Sequence, residues 1–145
     1  MNRIPKIVST ENQSNNFLGG LRNVILNSKE TGGDVYLVEG IMPKGSSVPL
    51  HIHELEDEIF QVLEGKVELI SGEKTIQGKK GDIIYLPRGI QHGIKTLGNQ
   101  TAKVLNYVIP GKNFEEFFNK MNEIGLDSSV GEKAKIGNEH KIKFL

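Results

Sequence analysis

Short apolar runs separated by glycines and prolines dominate the chain between residues 21 and 108. In several of these runs apolar and polar residues alternate, the period of a half-buried strand. The predicted strands are Leu21–Leu26, Val35–Met42, Glu58–Leu63, Lys66–Ile70, Ile83–Leu86, Gln91–Thr96 and Ala102–Val108. Strands at a spacing of about 8–12 residues are typical of an all-β sandwich or barrel. Glu64-Gly65-Lys66 and Ser71-Gly72-Glu73 each indicate a tight hairpin turn.

One segment near the C-terminal end has the apolar spacing of a helix. The pattern predicts an α-helix over residues 113–124. Asn113 is placed to cap its start, with Glu116 three residues later as in a capping box, and Gly125 follows its end. The helix carries an apolar stripe of Phe114, Phe117, Phe118, Met121 and Ile124. This stripe requires a partner surface, either the outside of the barrel or a second subunit.

The length and the lack of internal repeats predict a single domain over residues 1–145. Its core would span residues 35–110, followed by the helix at 113–124 and a polar tail at 126–145. The tail is rich in lysine apart from Phe144 and Leu145. We expect it to be partly flexible or to end in a short strand.

Charge and composition narrow the class of protein. Lys+Arg and Asp+Glu both number 18, so the net charge is zero and the basic surface of a nucleic-acid binder is not expected. The absence of cysteine excludes disulfides and thiolate ligands. The chain has no apolar run of the length of a signal peptide or a membrane span, which favours the cytoplasm and argues against a membrane partner.

Three of the four histidines fall in two short segments that could form one metal site. His51 and His53 are two residues apart, so on a strand they would point to the same face. Glu58 opens the next predicted strand, and His92 lies on the strand Gln91–Thr96. Three imidazoles and one carboxylate are the ligands that a divalent transition metal prefers. The pattern therefore predicts His51, His53, Glu58 and His92 as metal ligands.

The residues that share a face with these ligands are apolar. Phe60 and Val62 follow Glu58 on the inward face of their strand, and Ile94 follows His92 on its own. We predict that Phe60, Val62 and Ile94 line a substrate pocket beside the metal. Arg88 could pair with an anionic substrate, although a surface turn residue is the simpler interpretation.

The two histidine segments resemble the two sequence motifs of the cupin superfamily. The first motif is matched by Gly45, His51, His53, Glu58 and Gly65, and the second by Gly81, Pro87, Gly89 and His92. Thr96 stands where the family usually has an asparagine that is not a metal ligand. The resemblance implies a double-stranded β-helix, or jelly-roll barrel, with a C-terminal helix. It also implies one divalent transition metal: Fe, Mn, Ni, Cu, Co or Zn.

The segment PGKNFEEFFNKM also resembles the helix of small single-domain cupins similar to quercetin 2,3-dioxygenase. This resemblance implies a metal-dependent dioxygenase that acts on a small aromatic or enol-type molecule, and a homodimer. Glu58 would be both a ligand and a catalytic base. The alternatives are a metal-dependent isomerase, lyase or decarboxylase that does not use dioxygen, and a non-catalytic module that binds a small molecule. Glu54, Glu56 and Asp57 are most simply a solvated turn, although one of them could hold an imidazole N–H.

Overall fold

The computed structural model describes residues 3–8, 15–17, 20–125 and 127–145. These residues form eleven strands and two helices. The strands are β1 (Asn15–Phe17), β2 (Gly20–Leu26), β3 (Tyr36–Met42), β4 (Ser47–His53), β5 (Asp57–Glu64), β6 (Lys66–Ser71), β7 (Lys74–Lys79), β8 (Ile83–Leu86), β9 (His92–Leu97), β10 (Ala102–Ile109) and β11 (Ile142–Phe144). The helices are α1 (Lys112–Ile124) and α2 (Val130–Glu139). Neither has the length and apolar character that a membrane-spanning helix needs.

The strands form two antiparallel sheets. One has six strands in the order β1-β2-β3-β10-β5-β8, and the other has five in the order β11-β4-β9-β6-β7. From β3 to β10 the chain passes repeatedly from one sheet to the other, so strands that are close in sequence often lie in opposite sheets. This is the arrangement of a jelly roll, which confirms the predicted fold class. The seven predicted strands are all present, with ends that shift by at most one residue.

The two predicted hairpin turns have different outcomes. The turn at Gly72 is confirmed, because Ser71 pairs with Lys74 across β6 and β7. The hairpin predicted at Gly65 is wrong, because β5 and β6 belong to different sheets. Gly65 forms a sharp corner with φ of 74°, and a Cβ there would lie 2.7 Å from the carbonyl oxygen of Thr101. A glycine is therefore required where the chain crosses between the sheets.

Helix α1 finds its partner surface within the same chain. Its buried residues pack in one cluster with Tyr36, Val38, Val108 and Ile142, which come from β3, β10 and β11. A separate cluster fills the space between the two sheets and consists of Phe60, Val62, Val67, Leu69, Ile84, Leu86, Ile94, Ala102 and Val104. The apolar stripe of α1 thus requires no second subunit. The homodimer stays a prediction without that support.

The ends of α1 agree only in part with the sequence prediction. Gly125 follows the last turn with φ of 76°, as predicted. The predicted cap at Asn113 is wrong, because the helix begins at Lys112 after Gly111 and its start has no side-chain cap. Asn113 instead donates from Nδ2 to Oε1 of Glu56 at 2.6 Å and to the carbonyl oxygen of His140 at 2.7 Å. Its amide joins three distant segments rather than capping its own helix.

The predicted tail forms regular secondary structure over most of its length. Leu126, its first residue, lies outside the described residues. Beyond it the chain forms α2, capped by Ser129, whose Oγ accepts from the backbone N–H of Glu132 at 3.1 Å. Of the two alternatives for the tail, the terminal short strand is confirmed as β11. β11 pairs with β4, with Phe144 opposite His51.

Candidate metal centre

The strand β4 carries two of the four predicted ligands. His51 and His53 are buried. Leu50, before them, and Ile52, between them, are only partly buried, as expected for a strand whose side chains alternate between two faces. β4 lies between β11 and β9, and the register places His51 opposite His92. The carbonyl oxygen of Pro49 lies 2.7 Å from Nδ1 of His51. Because a carbonyl can only accept, Nδ1 carries the proton and Nε2 is left as the ligand atom.

Glu58 reaches the same point from the opposite sheet. One ligand atom from each of His51, His53, Glu58 and His92 lies within 4.8 Å of the others, and all four residues are buried. Oε2 of Glu58 lies 2.7 Å from Nε2 of His92 and 3.4 Å from Nε2 of His53. Its other oxygen, Oε1, accepts from Nδ2 of Asn106 at 3.2 Å. The structure thus brings all four predicted ligands together.

Several buried atoms in this cluster make no well-aligned hydrogen bond. Both ring nitrogens of His53 and of His92, and Oε2 of Glu58, are buried without a well-aligned hydrogen bond. Such an atom costs about 1–3 kcal/mol when it is left unsatisfied. A divalent transition ion would satisfy one nitrogen on each ring together with the carboxylate oxygen. The residues present therefore fit a metal ion, and the donor set is compatible with each of the six metals predicted.

The charge states of His51 and Glu58 suit metal ligands. Burial lowers the pKa of His51 to about 4, and His53 and His92 act in the same direction, so this imidazole is neutral at pH 7. Burial alone would raise the pKa of Glu58, but the neighbouring His53, His92 and His51 outweigh it and hold that pKa well below its usual range. A neutral imidazole and an ionised carboxylate are the forms that bind a metal.

His53 has a carboxylate on each side. Burial opposes its charge, but Glu58 and Glu56 together raise its pKa. Glu56 lies behind the ring, with Oε2 at 3.6 Å from Nδ1 of His53, and is only 1% exposed. The interpretation of Glu56 as a solvated turn residue is therefore wrong. The sequence could not show this, because the groups that bury Glu56 include Asn113 and the α1 helix, which lie far along the chain.

The other acids of this turn are not part of the site. Glu54 is exposed. Asp57 accepts from the backbone N–H, Nε and Nη2 of Arg88 at 2.9, 3.2 and 3.1 Å, and these hydrogen bonds lower the pKa of Asp57. Arg88 does not line the cavity described below, which agrees with its interpretation as a surface turn residue.

A largely apolar cavity adjoins the four ligands. The volume that the centres of water-sized molecules can occupy inside it is about 70 Å³. Phe60 and Ile94, two of the three residues predicted for a substrate pocket, line this cavity. Val62 does not, because it lies two residues further along β5, where it packs in the core between the sheets near Gly78 and Val67.

The far end of the chain supplies much of the cavity wall. Phe114, Phe117 and Phe118 of α1 and Phe144 of β11 all line it. The ring centroid of Phe114 lies 5.0 Å from that of His53, and that of Phe144 lies 6.1 Å from that of His51. The aromatic stripe of α1 therefore covers the histidines and limits the access of water to them.

Asn106 and Arg22 are polar residues of the cavity that the sequence prediction missed. Asn106 holds Glu58, and its position in phase with the buried Val104 and Val108 on β10 was the available signal. Arg22 on β2 also lines the cavity. The sequence around Arg22 did not indicate this position, because a single charged residue in a predicted strand usually faces the solvent.

Comparison with known proteins identifies the family. Residues 37–108 match the Cupin_2 family, described as a cupin domain. The chain belongs to the cupin superfamily, as the two motifs and the jelly-roll fold indicate. All four candidate ligands lie inside the matched stretch.

Three similar proteins illustrate the range of the family. An uncharacterized protein of Methanocaldococcus jannaschii is 36% identical over 80 residues, which are 55% of this chain and 64% of that protein. Quercetin 2,3-dioxygenase of Bacillus subtilis is 29% identical over 103 residues, which are 71% of this chain and 30% of that enzyme. The crystal structure of a predicted oxalate decarboxylase of Thermotoga maritima has a TM-score of 0.67 and 26% identity, and covers 72% of this chain and 99% of that one. The chain thus spans less than two thirds of the two curated relatives.

Proposed function

We propose that His51, His53, Glu58 and His92 hold one divalent transition metal ion. The observation that carries this proposal is the convergence of four buried ligand atoms within 4.8 Å, several of them without a well-aligned hydrogen bond. Two antiparallel sheets hold these atoms in place, and Pro49 and Asn106 orient His51 and Glu58. Such outer contacts are typical of protein metal sites.

We propose further that the metal-loaded protein is a dioxygenase that acts on a small aromatic or enol-type molecule. The similarity to quercetin 2,3-dioxygenase of Bacillus subtilis supports this activity. The cavity beside the ligands supports the substrate class, since Phe60, Ile94 and the aromatic rings of α1 offer flat apolar contacts. A bound ion would supply Lewis-acid polarisation of a substrate oxygen.

The residues of the chain have distinct tasks in this proposal. The aromatic rings of α1 exclude water from the cavity. Glu58 is the proposed ligand and also the proposed catalytic base. Its lowered pKa suits the first task better than the second, because a carboxylate with low proton affinity is a weak base. Glu58→Gln separates the two: loss of metal indicates the ligand role, whereas retained metal with lost turnover indicates the base role.

The first experiment measures metal content. Purified protein is stripped with a chelator and reloaded separately with each of the six ions. We expect about one ion per chain for the wild type, and none for the double variant His51→Ala, His53→Ala. His140→Asn is the matched control, because His140 is a buried histidine outside the cluster, and this variant should load normally. Metal binding that survives the double replacement would contradict the site.

The second experiment measures oxygen uptake by the loaded protein with catechol-type and enol-type compounds. Uptake that requires His51 and His53 supports the dioxygenase. The absence of uptake with Fe, Mn, Ni, Cu and Co would overturn this activity and leave the metal site standing.

A non-oxidative reaction is the second candidate. It is favoured by the similarity to the predicted oxalate decarboxylase of Thermotoga maritima, nearly all of which is covered. A decarboxylase or lyase would turn over its substrate without dioxygen, so release of carbon dioxide under anaerobic conditions distinguishes it from the dioxygenase. The single domain, the homodimer and the cytoplasmic location also stay predictions. Sedimentation equilibrium tests the homodimer.

A further inference from the structure

The amide of Asn113 joins two segments that lie far from it in the sequence. Asn113 stands in the first turn of α1, whose start has no side-chain cap, so it caps nothing in its own helix. Its Nδ2 donates one hydrogen to Oε1 of Glu56 at 2.6 Å and the other to the carbonyl oxygen of His140 at 2.7 Å. A carbonyl can only accept, which fixes the orientation of the amide. Both amide hydrogens of Asn113 are thus in use.

Glu56 stands behind one of the candidate metal ligands. It is only 1% exposed, and its Oε2 lies 3.6 Å from Nδ1 of His53, which is too far for a hydrogen bond. The side chain is held at its other oxygen, which accepts from Asn113. A buried carboxylate needs such a donor, because burial without a partner is costly. Asn113 therefore fixes the position of the acid behind His53.

The same amide connects this acid to the C-terminal segment. His140 follows the last residue of α2, and the carbonyl oxygen of the next residue, Lys141, accepts from the backbone N–H of Glu54 at 3.0 Å. Two neighbouring hydrogen bonds thus join the turn between β4 and β5 to the corner between α2 and β11. The strand β11 then pairs with β4, the strand that carries His53. Displacement of the C-terminal segment would therefore disturb the position of Glu56.

We propose that Asn113 is a positioning residue of the candidate metal centre, which acts through Glu56 and touches no ion itself. The inference rests on the proposed metal site. Loss of the amide would free the carboxylate to leave its place, and the His53 ring would lose the group that orients it. Removal of such an outer group typically weakens metal binding by about 10–100-fold. Because Asn113 acts on that group indirectly, its own removal should cost less, roughly three- to tenfold.

A double-mutant cycle in Co²⁺ affinity tests this role, with a coloured chelator as the competitor. Asn113→Ala removes the amide and keeps a good helix former in α1. We expect it to weaken Co²⁺ binding roughly three- to tenfold in the wild-type background, but by less than about twofold when Glu56→Gln is already present. The visible absorption of bound Co²⁺ should change in the same direction in Asn113→Ala and in Glu56→Gln, because both disturb the same ring.

Two further variants complete the experiment. Asn113→Leu removes the donor while it keeps the size of the side chain, so it should weaken Co²⁺ binding as Asn113→Ala does. Asn119→Ala is the matched control, because Asn119 is an exposed asparagine of the same helix, and it should bind Co²⁺ as the wild type does. Thermal unfolding of each variant shows that it is folded at the temperature of the assay.

The outcomes separate this inference from the proposed metal function. Equal losses from Asn113→Ala in the two backgrounds, or an unchanged Co²⁺ spectrum, would overturn the positioning role and leave the metal site standing. A lower unfolding temperature of both Asn113 variants with wild-type Co²⁺ affinity would show that the residue is merely structural, and would overturn the role as well. Absence of Co²⁺ binding in the wild type would overturn the metal proposal and this inference together.

Discussion

Glu56 offers a direct measure of how the candidate metal centre orients its histidines. Its side chain is buried against His53, with Oε2 at 3.6 Å from Nδ1, while Oε1 accepts from Asn113. A carboxylate in this position favours the proton on Nδ1 and leaves Nε2 to face Glu58. Glu56→Gln keeps the size of the side chain and removes its charge. We expect this variant to fold normally and to bind metal more weakly.

The expected loss of metal-binding free energy follows from the distance between the Glu56 carboxylate and the His53 ring. Two unit charges 3.6 Å apart interact by about 4.6 kcal/mol at an effective dielectric constant of about 20. An imidazole bound to a metal carries only part of a charge, so the loss should be a fraction of that value. Removal of such an outer carboxylate typically weakens metal binding by about 10–100-fold, or about 1.4–2.7 kcal/mol. The fraction of the Coulomb energy and the typical effect of removing such a carboxylate therefore give a similar loss of metal-binding free energy.

The assay is competition for Co²⁺ between the protein and a coloured chelator. Glu54→Gln is the matched control, because Glu54 is an exposed acid two residues away in the same turn and should leave the affinity unchanged. The visible absorption of bound Co²⁺ reports the geometry at the ion independently of its affinity. Glu56→Gln protein that binds Co²⁺ as tightly as the wild type, with the same spectrum, would refute the orienting role.

Three further predictions concern the fold and are measured by urea unfolding. Gly98→Ala should lower the free energy of unfolding by roughly 1–2 kcal/mol, because of its positive φ alone. Gly65→Ala has a similar φ but should cost about 1–3 kcal/mol more, because its Cβ would overlap a backbone oxygen. Equal costs for the two variants would contradict the crowding at Gly65. Burial raises the pKa of Tyr36 to about 12. The free energy of unfolding should therefore be constant below pH 10 and fall by at most about 2–3 kcal/mol as the pH rises from 10 to 12. Tyr36→Phe should lack this decline, and a decline of the same size in both proteins would exclude Tyr36 as its cause. Arg88→Ala should lose at most about 1 kcal/mol, since its ion pair with Asp57 is exposed, and a larger loss would indicate a structural role.

The sequence predicted the parts of the fold that depend on local alternation. The strands around His51 and Glu58 alternate buried and less buried residues, and this period is visible in the sequence. The inward direction of His51, His53 and Glu58 followed from it. The corner at Gly65 was not predictable, because a glycine turn has the same local signal whether the next strand pairs with the last one or joins the other sheet.

The missed features depend on contacts between distant segments. Helix α2 has a weak apolar pattern, and its one buried residue is Gly137, where a Cβ would lie 2.6 Å from the carbonyl oxygen of Ile142. Close packing of a glycine against another backbone leaves no hydrophobic signature. The burial of Glu56 depends in the same way on Asn113. In each case the partner decides the environment, and one sequence does not show the partner.

The three-residue strand β11 has a consequence for the exchange of an ion. It forms one edge of the five-stranded sheet, pairs only with the histidine strand β4, and comes from the far end of the described chain. A strand this short can detach at a small fraction of the cost of global unfolding. Its detachment would remove Phe144 from the cavity wall and leave β4 exposed as an edge. We therefore expect the backbone amides of β11 to exchange their hydrogens before those of β10, and a bound ion to leave by this local opening while the rest of the barrel stays folded.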